Sequence, residues 1–206
     1  HSDTELLLRL LIREGRRALP KLNGMFAFAF YDRKAGEILC ARDRFGIKPF
    51  YYAEKVECFA FASELKAIER ALPPGDLVVD TTACYDFLSY RYVPAPKTLY
   101  KNCYKLPPAH RIAFTPATGG LEPPRAYWTL PVPALPRRPD LEACCEELRA
   151  LIAASVDEQM IADVPLGFFL SGGVDSSVVV AAAARSGRRI STFAIGFDAD
   201  EVSEPP

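Results

Sequence analysis

Residues 167–184 read GFFLSGGVDSSVVVAAAA. A short apolar run stops at Ser171, Gly172 and Gly173, passes Asp175, Ser176 and Ser177, and continues as valine and alanine. Where a strand hands over to a helix, those residue types suit an anion. A helix beginning near Val174 leaves unpaired N–H groups and a partial positive charge at its first turn. Gly172 and Gly173 remove the Cβ atoms that would hold backbone donors away from phosphate oxygens. Ser171, Ser176 and Ser177 add hydroxyl donors. Asp175 repels a bare phosphate, so it serves either through a cation such as Mg²⁺ or as a cap for the loop's own amides.

Other glycine motifs do not fit. A Walker loop needs a lysine after its last glycine, and none follows Gly173. A hydrolase elbow needs glycine two residues before the serine, where Phe169 stands. The dinucleotide fingerprint fails as well. A bare Gly-Gly-Asp would be read as a tight turn without a ligand; the full string at a strand–helix junction favours phosphate.

The elements around the loop must place it at the end of a parallel strand, where open α/β sheets gather ligands. PLGFFL predicts a strand, the helix runs to about Arg185, Ser186-Gly187 stops it, and ISTFAIGF predicts the next strand. Strand, helix and strand in this spacing make a right-handed βαβ unit. Ahead of it, DLEACCEELRALIAASVDEQM predicts a helix capped by Asp140, with Leu141, Cys145, Leu148, Ile152 and Val156 as its apolar stripe. Between Thr115 and Asp140, seven of the eighteen prolines crowd a segment that excludes helix and central strand. It reads as a linker over 116–139, with the sole tryptophan, Trp128, pinning it to a surface. The domains are therefore expected at 1–115 and 140–206.

The first of these is strand-rich. HSDTELLLRLLIREGRRAL predicts a helix through Leu19, with Ser2 and Glu5 as a capping box and Leu6, Leu7, Leu10 and Leu11 as its stripe. MFAFAFYD, the turn DRKAG and EILCARD predict a hairpin with alternating large and small residues. PFYYA and CFAFAS predict further strands, and SELKAIERAL a short helix capped by Ser63.

The chain has 206 residues, 50% hydrophobic and 25% charged, with net charge −1. Such a balance gives no footprint for nucleic acid or an anionic membrane. No apolar run is long enough to span a bilayer and no signal-peptide pattern opens the chain, so a cytoplasmic setting is expected. The six cysteines contain no C-x-x-C pair and only His1 and His110 could join them, which favours free thiols over zinc. The chain opens at His1 and stops at EVSEPP just after a strand-like run, and a fragment is expected.

LSGGVDSS resembles the pyrophosphate loop of the N-type ATP pyrophosphatases, which cleave ATP to AMP and pyrophosphate while adenylating a substrate. LNGMFAFAFYD, ARDRFGIKPFYYA, FASELKAI and LPPAHRI resemble the class II glutamine amidotransferase domain. The two in this order are the arrangement of the glutamine-hydrolysing asparagine synthetase family. The resemblance covers almost the whole chain. It implies an incomplete αββα sandwich of the N-terminal-nucleophile hydrolase type, an α+β fold, followed by an incomplete α/β parallel-sheet nucleotide-binding domain.

In that family an amino-terminal cysteine releases ammonia from glutamine, and the ammonia meets an aspartyl-adenylate formed from aspartate and ATP. The resemblance implies ATP and Mg²⁺ as cofactors, glutamine, aspartate and ATP as substrates, and is compatible with a homodimer. It places the cysteine nucleophile upstream of His1. Asp3 matches the residue that grips the glutamine α-amino group, the alternative being a helix-start acid. Leu170 and Ile195 match positions that hold adenosine. Ser171, Gly172, Gly173, Asp175 and Ser176 match the pyrophosphate loop, with Asp175 toward magnesium. RDRFG with Pro49 and Tyr51 reads as architecture, Arg42 and Asp43 pairing at the strand end. Ala109 stands where the family usually has glycine. The rival readings are a relative with another acceptor, β-lactam-forming or polysaccharide-modifying, and a silent ATP-binding module.

Overall fold

Ser2 Oγ accepts the Glu5 amide at 3.3 Å and starts helix α1, Asp3–Glu14. The sequence pattern carries helix on to Leu19, but Gly15 turns to φ 58° and a 3-10 segment, Gly15–Lys21, follows. Glycine takes that conformation without steric cost, so the helix ends there. A computed structural model describes residues 2–55, 58–73, 75–132, 140–187 and 189–196. They fall into two units, His1–Pro131 and Val132–Pro206.

In the first unit, β1 (Ala27–Asp32) and β2 (Glu37–Arg42) form the expected hairpin, with Phe30 opposite Leu39. Strands β3 (Tyr51–Lys55) and β4 (Cys58–Ala62) pair antiparallel, and α2 (Leu65–Ala71) follows. Its cap is Glu64, with no side-chain bond, rather than Ser63. A helix not anticipated from the sequence, α3 (Thr81–Tyr90), is capped by Asp80, whose Oδ1 accepts the Thr82 amide at 2.9 Å. Then come β5 (Cys103–Lys105), β6 (His110–Thr115), β7 (Gly120–Leu121) and β8 (Arg125–Ala126). One sheet runs β1-β2-β6-β7, with β8 also on β6; the other runs β4-β3-β5.

Side-chain alternation turns these sheets into four layers. Cys40 and Ile112 of one sheet meet Tyr52 of the other, with Phe50 and Leu106, in the core between them. On the outer side of the first sheet, Leu39, Phe28 and Phe30 pack on Leu11 of α1 and Ala18. On the outer side of the second, Ala53 and Cys103 pack on Ile68 of α2 and Leu72. The order helix, sheet, sheet, helix is the sandwich expected from the sequence. Each fully buried Leu, Ile or Phe in it contributes about 1.5–3 kcal/mol.

The segment expected as a linker over 116–139 is partly sheet: β7 and β8 are short edge pairings to β6, which its prolines allow. Trp128 lies edge-on to Phe45 and under Arg44, pinned to the first unit as expected. Residues 133–139 lie outside the described residues.

Two phenols and a thiol in this unit set its alkaline limit. Burial pushes Tyr52, Tyr127 and Cys40 each up to about 12, from 10.0, 10.0 and 9.0. Tyr127 also donates its hydroxyl to Arg42 O at 2.7 Å. Because the folded values are raised, the stability these groups contribute is complete below the unfolded values and is lost as pH climbs through the folded ones. The urea midpoint is therefore expected to fall between about pH 9 and 12. Tyr52→Phe should blunt the fall, and a midpoint flat across that window would contradict the assignment.

The second unit begins with Asp140, whose Oδ1 accepts the Glu142 amide at 3.1 Å and caps α4 (Leu141–Gln159). Of the expected stripe, Val156 is buried and Ile152 packs beside it, while Leu141 and Leu148 are exposed. Strand β9 (Gly167–Phe169), helix α5 (Val174–Ala184) and strand β10 (Ser191–Phe193) complete the unit. The strands are parallel, Ser191 opposite Gly167 and Phe193 opposite Phe169, so strand, helix and strand form the expected βαβ. Among the described residues no helix is long and apolar enough to cross a membrane.

Candidate functional site

The parallel ladder continues one residue past β9, where Leu170 N donates to Phe193 O at 2.9 Å. There the chain turns. Gly172 takes φ 87°, a backbone that side chains rarely adopt, and Gly173 is the helix N-cap. Gly173 offers no side chain to the first amides of α5. By helix geometry, the Val174, Asp175 and Ser176 amides have no carbonyl a turn back to receive them. Three donors and the positive helix end thus open past the end of a parallel strand.

The serines brace this opening. Ser176 Oγ donates to Gly173 O at 3.0 Å and accepts the Ser171 amide at 3.3 Å, while lying 3.2 Å from Ser171 Oγ. Ser171 Oγ also accepts the Gly173 amide, at 3.4 Å, and Ser177 Oγ donates to Gly173 O at 2.9 Å. The loop's shape is set by its own hydroxyls before any ligand arrives. The structure therefore brings Leu170, Ser171, Gly172, Gly173, Asp175 and Ser176 into one turn. Ile195 follows the end of β10, the neighbouring strand, and is 76% exposed, so it is no core residue among those described.

Asp175 sits exposed in the first turn of α5. Among the described residues there is no group of three His, Cys, Asp or Glu side chains that could cage a metal. That donor set fits Mg²⁺ held mainly by phosphate oxygens and water with one carboxylate beside them, the usual way this ion is bound.

Asp3 belongs to the other unit. It lines a cleft of about 760 Å³ together with Leu7, Asn23, Met25, Lys48 and Ser63 among others. Its Oδ1 accepts the Thr4 amide at 2.6 Å, so part of its acceptor capacity serves its own helix. The cleft lining contains no cysteine. Cys40 and Cys103 are buried, and the raised Cys40 thiol is an apolar filler.

One wall of the cleft hangs on the turn after β2. Arg42 and Asp43 do not pair. Arg42 donates to the Lys48, Gly46 and Leu106 carbonyls at 2.6–2.7 Å, and Asp43 accepts the Phe45, Ile47 and Lys48 amides at 2.9–3.1 Å. Arg42 thus holds the carbonyls of the turn and Asp43 its amides, and both meet at Lys48. Ala109 closes it, its amide on Asp43 O at 2.8 Å, and holds a glycine-like φ of 59°. Lys48, Asn23 and Ser63 went unseen as cleft residues in the sequence because three distant segments meet there.

A family model described as glutamine amidotransferase domain matches residues 1–128, and one described as asparagine synthase matches 147–206. A putative glutamine-hydrolyzing asparagine synthetase 2 of Methanocaldococcus jannaschii is 35% identical over 96% of this chain and 38% of its own. Glutamine-hydrolyzing asparagine synthetase 1 of Bacillus subtilis is 35% identical over 98% of this chain and 31% of its own. The chain thus spans about a third of these relatives' length. A solved glutamine phosphoribosylpyrophosphate amidotransferase from Bacillus subtilis aligns over the whole chain and 42% of its own at 14% identity and TM-score 0.41. Matched over residues 1–128 by the first model, the chain belongs to the glutamine amidotransferase domain family, and its residues from 147 onward match the asparagine synthase model.

Proposed function

We propose that the protein is a glutamine-hydrolysing asparagine synthetase, converting L-aspartate, L-glutamine, ATP and water to L-asparagine, L-glutamate, AMP and diphosphate. The observation that carries this reading is the glycine turn at the end of a parallel strand, with open amides at Val174, Asp175 and Ser176. In this reading His1–Pro131 is the glutaminase unit, of N-terminal-nucleophile hydrolase type, and Val132–Pro206 opens the synthetase unit.

The amides of the turn, held convergent by the Ser171 and Ser176 hydroxyls, bind the phosphate tail of ATP, orienting it for attack at the α-phosphorus. Leu170 and Ile195 flank the adenosine. Bound Mg²⁺ would offset the charge of the departing diphosphate, with Asp175 as the residue facing it. Asp3, an acid at the rim of the cleft, takes the α-amino group of glutamine.

The test is diphosphate release by the purified protein. Release should require aspartate and an ammonia source together with ATP, with glutamine serving as that source when the cysteine-bearing segment expected upstream of His1 is present. Release driven by a different carboxylic acid, with aspartate inert, would refute the asparagine assignment.

A further inference from the structure

The cleft that holds Asp3 has two walls drawn from distant sequence. One is the run from Lys21 to Phe28, the other Lys48 and Pro49. Arg44 links them from outside the lining. Its Nη2 donates to Pro20 O at 2.9 Å, one residue before the first wall begins, while its own backbone belongs to the turn that ends in the second. Asp43 N donates to Phe26 O at 2.8 Å and adds a backbone tie between the same two segments.

Trp128 covers this tie. The Arg44 guanidinium carbon lies 5.4 Å from the centre of the indole, within cation–π range. Phe45, 68% exposed, meets the same ring edge-on at 5.8 Å. Arg44 Nε is buried without a hydrogen-bond partner. The indole therefore holds the guanidinium where one hydrogen bond alone would leave it free to turn toward water. We infer that Trp128 is a positioning residue for the cleft: through Arg44 it fastens the 21–28 wall to the 48–49 wall and so sets the width of the opening beside Asp3. It touches nothing inside the cleft itself, since neither Arg44 nor Trp128 lines it.

The inference rests on the glutamine reading only for what the cleft admits, and its test contains no glutamine, so the two can fail separately. Ser63 lines the cleft, and Ser63→Cys places a thiol within it. Site-resolved mass spectrometry then compares the rate of labelling there by a bulky maleimide with that by iodoacetamide. Trp128→Leu should raise the bulky-to-small rate ratio by about tenfold and speed hydrogen exchange at the Phe45, Ile47 and Lys48 amides by a similar factor. Trp128→Phe, which keeps an aromatic ring, should fall between parent and Trp128→Leu, and Arg44→Gln should reproduce the leucine variant. A change in overall stability alone would not alter the size selectivity of labelling. Should Trp128→Leu unfold, Trp128→Phe and Arg44→Gln carry the same comparison. An unchanged ratio in variants that remain folded overturns the inference.

Discussion

Gly172→Val should abolish measurable binding of Mg-ATP to the protein. Two effects act together. Gly172 sits at φ 87°, where a β-branched residue is strained, so valine must pull the turn toward a negative φ. That movement would break the bonds between Ser171, Gly173 and Ser176 that hold the amides convergent. The valine side chain would also stand where phosphate oxygens must approach. Losing two or three amide bonds to a charged phosphate, each worth about 1.5–3 kcal/mol, weakens affinity by about a hundredfold or more. Calorimetric titration with Mg-ATP measures this directly. Gly172→Ala, strained but smaller, should retain partial binding. The helix behind the turn should persist in both variants, since Ala183 and Ala182 pack it against Val156 and Met160 at its far end. Nucleotide affinity equal to the parent in Gly172→Val would remove the phosphate cradle and the proposed function with it.

The glycine turn was legible in sequence because its determinants are local: strand, two glycines, hydroxyls and helix lie within a few residues of one another. The β1–β2 hairpin and the capped starts of α1 and α4 were legible for the same reason. Helix α3 was overlooked, although Ala83, Cys84, Phe87 and Leu88 keep helical spacing and Asp80 ahead of two threonines is a cap pattern. Its threonines and aromatics suit a strand equally well, and only Ala83 is buried. The outer half of α4 shows the opposite error: Leu141 and Leu148 keep helical spacing yet face solvent, so the stripe reports a helix without reporting what it packs on. Around Asp3, the sequence could name a residue but not a cleft. Its walls come from residues 21–28, 48–49 and 63, joined by backbone bonds and an arginine that no periodicity announces. The expected Arg42–Asp43 pair failed on the same ground, since backbone groups of the turn take up both side chains.

That failed pair leads to the largest stability effect expected in the first unit. Asp43 is 1% exposed, and its carboxylate accepts the Phe45 and Ile47 amides on one oxygen and the Lys48 amide on the other. Asp43→Ala would leave three backbone donors without an acceptor. An orphaned donor costs about 1–3 kcal/mol where water is excluded, and water reaching these part-buried amides lowers the sum, giving a loss of about 3–5 kcal/mol. A domain of this size holds only about 5–15 kcal/mol in all, so the variant should unfold at markedly lower urea. Asp43→Asn keeps one carbonyl oxygen but turns an NH₂ group toward a donor, and should lose about 2–3 kcal/mol. Gly46→Ala gives an independent reading of the same turn. A Cβ there would lie 2.9 Å from Pro108 Cγ and 3.0 Å from Arg42 Cζ, at a φ of 66° that disfavours alanine. If Asp43→Ala lost less than about 1 kcal/mol, water would have to satisfy those amides, and the turn would owe its shape to Arg42 and Gly46 instead.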